Sequence, residues 1–428
     1  MAIAPDDPDP KAASAPELRI RPWASLTFSN YRWLWTSAVF GSVGQQVRLL
    51  TNLYLVFDLS GSTLQLGLLG LARAVPLFAL GLFGGALADA MDRKRLIVLT
   101  QVANVAVASS LATLAVTGNL VVWHLYVSTL ITSGLIIFEA PARSSLIPAI
   151  VPRTHLLNAY TFQSFVRQGS MLIGPALAGL LIDAGGGGIS GAGAAYLLNV
   201  ALYPPVFFAL LLVRIPRGAH LGGDGGGRMS LSQVAAGLKY IWATNILLAI
   251  IALDAVVTLL TGYRAMLPVF ADDLLRAGAS GLGLLLAAPA AGFMLGSLLL
   301  LLVGAISRTG LVVLLSIAGY AVALGFFAVS GSFYVSLLLL VVVGGLDGIS
   351  SIVRQTTLQL IVPDEIRGRA SSVQLVFAIG SPGLGQFLAG VAAVYITVQG
   401  AVLAGAVLSL LFVGIVAVRW REVVAFRA

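Results

Sequence analysis

The chain has 428 residues, 58% of them hydrophobic and 10% charged, with a net charge of +8, a mean hydropathy of +0.98 and no cysteine. Soluble domains carry about 25% charged residues, so an ordinary soluble protein is excluded, and without cysteine so are disulfides and thiol chemistry. Apolar runs of about 18 residues or more read as membrane-spanning helices. The runs here are continuous rather than alternating, which excludes a β-barrel.

Taken in order, residues 1–22 are rich in Pro and Asp and hold no apolar run. They are not a signal peptide and are expected to form a disordered cytosolic tail. Six apolar spans follow at 33–57, 64–88, 96–116, 121–140, 156–182 and 192–213. A polar connection comes next, with a short amphipathic piece over 231–242. Six more spans lie at 246–270, 282–303, 311–329, 333–352, 371–394 and 398–418. The expected organisation is a tail (1–22), an N-terminal six-helix bundle (23–213), a cytosolic linker (214–244), a C-terminal six-helix bundle (245–418) and a cytosolic tail (419–428).

Charge in the turns sets the orientation. The turns after the odd-numbered spans lack Lys and Arg, except that Arg276 follows the seventh beside Asp272 and Asp273. The turns after the even-numbered spans carry Arg93, Lys94, Arg95, Arg143, Arg153, Arg308 and Arg354. Both termini are therefore expected in the cytoplasm, in a multi-pass protein of the plasma membrane. The positive balance is a topology signal and gives no reason to invoke nucleic acid.

The chain also repeats itself. Arg143 to Pro152 (RSSLIPAIVP) resembles Arg354 to Pro363 (RQTTLQLIVP), and Leu177-Ala178-Gly179 matches Leu388-Ala389-Gly390, always 211 positions apart. The fourth and fifth spans thus lie over the tenth and eleventh, as two parallel six-helix halves would place them.

Between the second and third spans, Gly84 to Arg95 reads GGALADAMDRKR. It resembles the signature loop of the major facilitator superfamily, with Gly85, Asp89, Arg93 and Lys94 on the pattern. Ala90 stands where the pattern has a base, and Asp92 where it has glycine. Gly70-Leu-Ala-Arg73-Ala-Val-Pro76, Pro141-Ala-Arg143 and Gly174-Pro175-Ala-Leu-Ala-Gly179 are similar to its enterobactin-exporter and macrolide-efflux branch of drug:proton antiporters. The resemblance implies an all-α membrane protein of 12 transmembrane helices in two pseudo-symmetric six-helix bundles. It further implies secondary efflux of small amphipathic molecules such as drugs, macrolides or siderophores. Gly85, Asp89, Arg93 and Lys94 would form a conformational latch against the eleventh span. Gly174, Pro175 and Gly179 would be a helix-packing motif of exporters.

Ionisable groups inside spans are costly and usually functional. Asp254 and Asp347 are the candidates for proton coupling. Arg48, Arg73 and Arg167, with Gln45 and Gln46, are the candidates for a cavity that orients an anionic or carbonyl-rich substrate. On this reading, positive groups of the first half face acids of the second across the cavity. Glu139 ends the fourth span and can pair with Arg143 one turn on. His124, His155 and His220 are not spaced for a metal, and no catalytic or nucleotide-binding motif is present. The expectation is a transporter and not an enzyme, without cofactor. Its partners would be a small-molecule substrate, the proton and the lipid bilayer, and it would be a monomer. A facilitator for uptake or lipid movement, or a transport-inactive sensor or scaffold, remains as an alternative.

Overall fold

The computed structural model describes residues 23–90, 92–214, 242, 244–304, 308–362 and 364–426, with backbone alone at 81–90, 245, 364–379, 423 and 425. The N-terminal tail and the amphipathic piece of the linker, Trp242 apart, lie outside the described residues.

The first half comprises α1 (Ser29–Ser60), α2 (Thr63–Ala90), α3 (Arg93–Val116), α4 (Val122–Ile150), α5 (Leu156–Ala184) and α6, which is split into Gly188–Ala201 and Tyr203–Leu212. The split falls just ahead of Pro204 and Pro205, where proline suits the first turn of a new helix but not the interior of an old one. The second half comprises α7 (Asn245–Leu260), α8 (Gly278–Val303), α9 (Thr309–Val329), α10 (Phe333–Ile361), α11 (Asp364–Ile396) and α12 (Val398–Arg419), followed by the short α13 (Arg421–Ala425). Among the described residues, ten helical segments are long and apolar enough to cross a membrane. The other two of the twelve helices are α1, whose middle carries Gln45, Gln46, Arg48 and Asn52, and α11.

Two helices outrun their apolar spans. The hydrophobic pattern ends near residues 140 and 352, yet α4 continues to Ile150 and α10 to Ile361, 29 residues each. Arg143 and Arg354, expected in turns, are therefore inside helices, at 8% and 5% exposure. Hydropathy marks where lipid stops, whereas backbone hydrogen bonding carries the helix on past it.

Two seams join the halves, α2 against α11 and α5 against α8. Both are tight toward the end where the turns carry few charges, and glycine permits the approach. A Cβ on Gly390 would lie 2.7 Å from the Cα of Gly67, and one on Gly283 would lie 2.5 Å from the Pro175 carbonyl. Asp183, at the end of α5, spans the second seam and accepts the backbone N–H groups of Ala279 (3.1 Å) and Ser280 (2.8 Å) in the first turn of α8. The bundle is thus closed at its charge-poor end.

Candidate functional site

Between the halves lies a cavity of ≈ 110 Å³. Most of its wall is N-terminal. Gln45, Gln46, Arg48 and Asn52 come from one face of α1, Arg73 from α2, and Thr129, Thr132 and Ser133 from α4. Leu53, Leu69, Met171 and Leu286 are among its apolar lining. Asn52 fixes that wall, giving its amide N–H groups to Ser128 (3.1 Å) and Thr129 (3.0 Å) and accepting the Tyr196 hydroxyl (2.7 Å).

The C-terminal half adds Arg264 and Gln386. Arg264 is placed by a break in the chain. α7 stops at Leu260, a 3₁₀ turn runs over Tyr263–Met266, a short helical piece over Leu267–Val269 and a π turn over Phe270–Leu274. Gly262 sits against the backbone of Gly385 on α11, where a Cβ would collide with the carbonyl. Irregular backbone at membrane depth is tolerated where it lines a cavity, and here it carries an arginine into one.

Gln45, Gln46, Arg48 and Arg73 are therefore brought together. Arg167 is exposed and outside the lining, within electrostatic reach of Arg73, as is Arg264. Arg48 also lines a second, smaller cavity of ≈ 30 Å³ with Gln101, Asn104, Glu139, Arg143 and Tyr203.

The acids are placed differently from expectation. Asp254 does not face the arginines of the first half. Its carboxylate pairs at 2.7 Å with Arg354, on α10 of its own half. Arg354 also donates to the hydroxyls of Ser350 (3.0 Å) and Ser351 (3.2 Å). Asp347, one turn above Ser351 on α10, accepts that hydroxyl at 3.4 Å and lies within electrostatic reach of Arg354, Asp254 and Arg264. Arg264 thus stands between this acidic network and the cavity. Arg143 forms the matching pair in the first half, with Glu139 at 2.8 Å, and also donates to Ser37 (3.1 Å).

At the charge-rich end, Gly85 and Asp89 belong to the last turns of α2. Contacts of the Asp89 side chain, like those of residues 364–379 that it was expected to face, lie outside what is described. Lys94 donates to the Val213 carbonyl (2.6 Å), and Arg93 reaches the Ser145 carbonyl on α4 (3.5 Å). Asp92, the departure from the signature pattern, caps α3 by accepting the Arg95 N–H at 2.8 Å. On α5, Gly174 packs against α1, a Cβ there falling 2.5 Å from that of Gln46, while Pro175 and Gly179 face α8.

Three participants escaped the sequence reading. Arg264 lies inside a span, and the flanking Gly262 and Pro268 were the signal of a broken helix. Arg354 was visible as a repeat anchor but was assigned to a turn. Asp183 had no local signal, because its partners are 96 and 97 positions away.

Comparison with known proteins bears on this architecture. A major facilitator family model described as a transmembrane secretion effector matches residues 20–425. The enterobactin exporter EntS of Escherichia coli is 27% identical over 334 residues, 77% of either chain. The uncharacterised MFS-type transporter YfiS of Bacillus subtilis is 29% identical over 202 residues, and that match spans only 45% of either chain. Among solved structures, a bacterial homologue of the human lysosomal transporter Spinster superposes with a TM-score of 0.71 at 16% identity, over 92% of this chain and 96% of the other. A bacterial homologue of the iron transporter ferroportin does so at 0.66 and 14%, over 90% and 97%.

Proposed function

The chain belongs to the transmembrane secretion effector family of the major facilitator superfamily, and we propose that it exports small amphipathic molecules across the plasma membrane in exchange for protons. It is a multi-pass membrane transporter and not an enzyme. The observation that carries the reading of the site is the polar cavity between the bundles, closed at the charge-poor end by α2–α11 and α5–α8. Rocking of one bundle on the other would open that end and close its opposite. With the charge-rich turns and both termini in the cytoplasm, the cavity is poised to load from inside. The likeness to an exporter and the Gly174-Pro175-Gly179 pattern favour the outward direction.

The proton enters through the second half. Asp254 ties α7 to α10 through Arg354. Protonation removes the carboxylate charge and dissolves that tie, leaving Arg354 to its serines and to Asp347. A proton and a substrate thus act on one bistable element, the Asp254–Arg354 tie between α7 and α10, and a ligand shifts such an equilibrium by its differential affinity for the two states. Asp89, with Arg93 and Lys94, is proposed as the latch of the charge-rich end in the opposite state.

The test uses protein reconstituted in liposomes under an imposed pH gradient, with lumenal pH followed on adding macrolides, cationic dyes or catecholate siderophores. Substrate-triggered proton flux is expected in the wild type and is expected to be lost in Asp254→Asn. Substrate equilibration without proton flux would replace antiport with facilitated diffusion.

A further inference from the structure

Among the described residues, the arginines at the cavity have no carboxylate at hydrogen-bond distance of the kind that Arg143 and Arg354 have. Arg143 and Arg354 each hold a carboxylate at hydrogen-bond distance. Arg48, only 4% exposed, has neutral partners at hydrogen-bond distance, Asn104 at 3.4 Å and the Tyr203 hydroxyl. Arg73 is exposed to the cavity. Arg264 enters from the other bundle, with Asp347 behind it. No carboxylate stands among the residues of the wall. Asp347 behind Arg264 and Glu139 in the smaller cavity beside Arg48 lie outside this wall; gathering like charges at membrane depth with no carboxylate on the wall itself is costly, and the deficit is met if the cavity's occupant supplies the negative groups. The amides of Gln46 and Gln386 add donors, and Leu53, Leu69, Met171 and Leu286 offer apolar surface.

Building on the transport reading of this cavity, we propose that it is an organic-anion site. Its substrate carries at least two oxyanion groups on an apolar body, one group held by Arg48 and Arg73 and another by Arg264. Guanidinium forks suit carboxylate, phosphate and phenolate oxygens alike. Because the arginines come from both bundles, an anion bridges the halves where a neutral molecule would not. In the proposed orientation the substrate leaves a negative interior, so the membrane potential and the proton gradient drive the exchange in the same direction.

Binding decides this without any gradient. Purified protein in nanodiscs is titrated with carboxyfluorescein and with rhodamine 6G, which share a three-ring scaffold and carry opposite charge, and fluorescence anisotropy is read. Carboxyfluorescein is expected to bind and rhodamine 6G not to, with affinity falling as salt is raised. Arg264→Gln and Arg73→Gln are each expected to weaken carboxyfluorescein by about tenfold or more, as loss of a charge-assisted hydrogen bond does. Arg264→Lys is expected to lose less, which separates lost charge from lost fold, and the exposed Arg32→Gln is expected to change nothing. Preference for rhodamine 6G, absence of carboxyfluorescein binding, or binding indifferent to both glutamine variants overturns the proposal. Anion binding without proton flux in liposomes would remove antiport alone. Proton-coupled export of a cation would keep antiport and remove the anion site.

Discussion

Arg143 and Arg354 stand at the same step of two equal helices, 211 positions apart, yet each draws its carboxylate from a different direction. Arg143 takes Glu139 one turn back on its own helix and a hydroxyl, Ser37, from α1. Arg354 takes the hydroxyl, Ser350, one turn back and its carboxylate, Asp254, from α7. The repeat has kept the cation and exchanged the helices that answer it. In the first half the charge pair is internal to α4. In the second it is a tie between helices, and only such a tie can be broken by a proton to let helices move.

That asymmetry has a measurable energetic side. Removing one partner of a fully buried pair costs about 3–5 kcal/mol. Asp254 is 23% exposed, so Asp254→Asn is expected to cost about 2 kcal/mol. Glu139→Gln is expected to cost about 1 kcal/mol, because Arg143 keeps the Leu34 carbonyl and Ser37. Unfolding in detergent would rank the two. Equal losses would mean that the α7–α10 tie carries no special weight, and a double-mutant cycle with Arg354→Gln would measure it directly.

Asp183 holds the charge-poor end shut through the N-terminus of α8. A carboxylate there stabilises by roughly 0.3–1 kcal/mol. Asp183→Asn keeps an acceptor and loses the charge, so the open form of that end should rise about two- to fivefold in population. The chain has no cysteine of its own, so a single Ser133→Cys in the cavity wall reports access cleanly. Its labelling by an impermeant maleimide added on the charge-poor side is expected to speed up in the Asp183→Asn background. An unchanged rate would show that glycine packing alone closes this end.

Near the same end, Asp58 is the acceptor of a 3.4 Å hydrogen bond from Tyr54, whose oxygen also receives the Gly188 N–H at 2.9 Å. Burial holds the Asp58 pKa above its ordinary 3.8; the Tyr54 hydrogen bond works against the rise and the charge of Asp272 adds to it. A raised folded-state pKa means that the folded protein holds this proton more tightly than the unfolded chain. The contribution therefore favours folding at low pH and is lost as pH climbs from 3.8 through the raised value. Asp58→Asn is expected to match or exceed wild-type stability at pH 7, with the gap closing below that window. A variant that melts earlier than wild type at pH 7 would refute the sign.

The fold was legible in the sequence because lipid imposes it. Apolar runs must be helices, charged turns must stay on one side, and the repeat at 211 positions fixed how the halves correspond. The cavity was half legible. Gln45, Gln46, Arg48 and Arg73 announce themselves as polar groups in apolar surroundings, and they share one wall. Pairing was not legible. Asp254 finds Arg354 100 positions away, Asp183 reaches the turn of another bundle, and Arg264 enters the cavity only because Gly262 lets the broken α7 settle on α11. The cost of a charge in a membrane is a property of the residue and can be read along the chain. What cancels that cost is a matter of distance in space, which only the packing of helices decides.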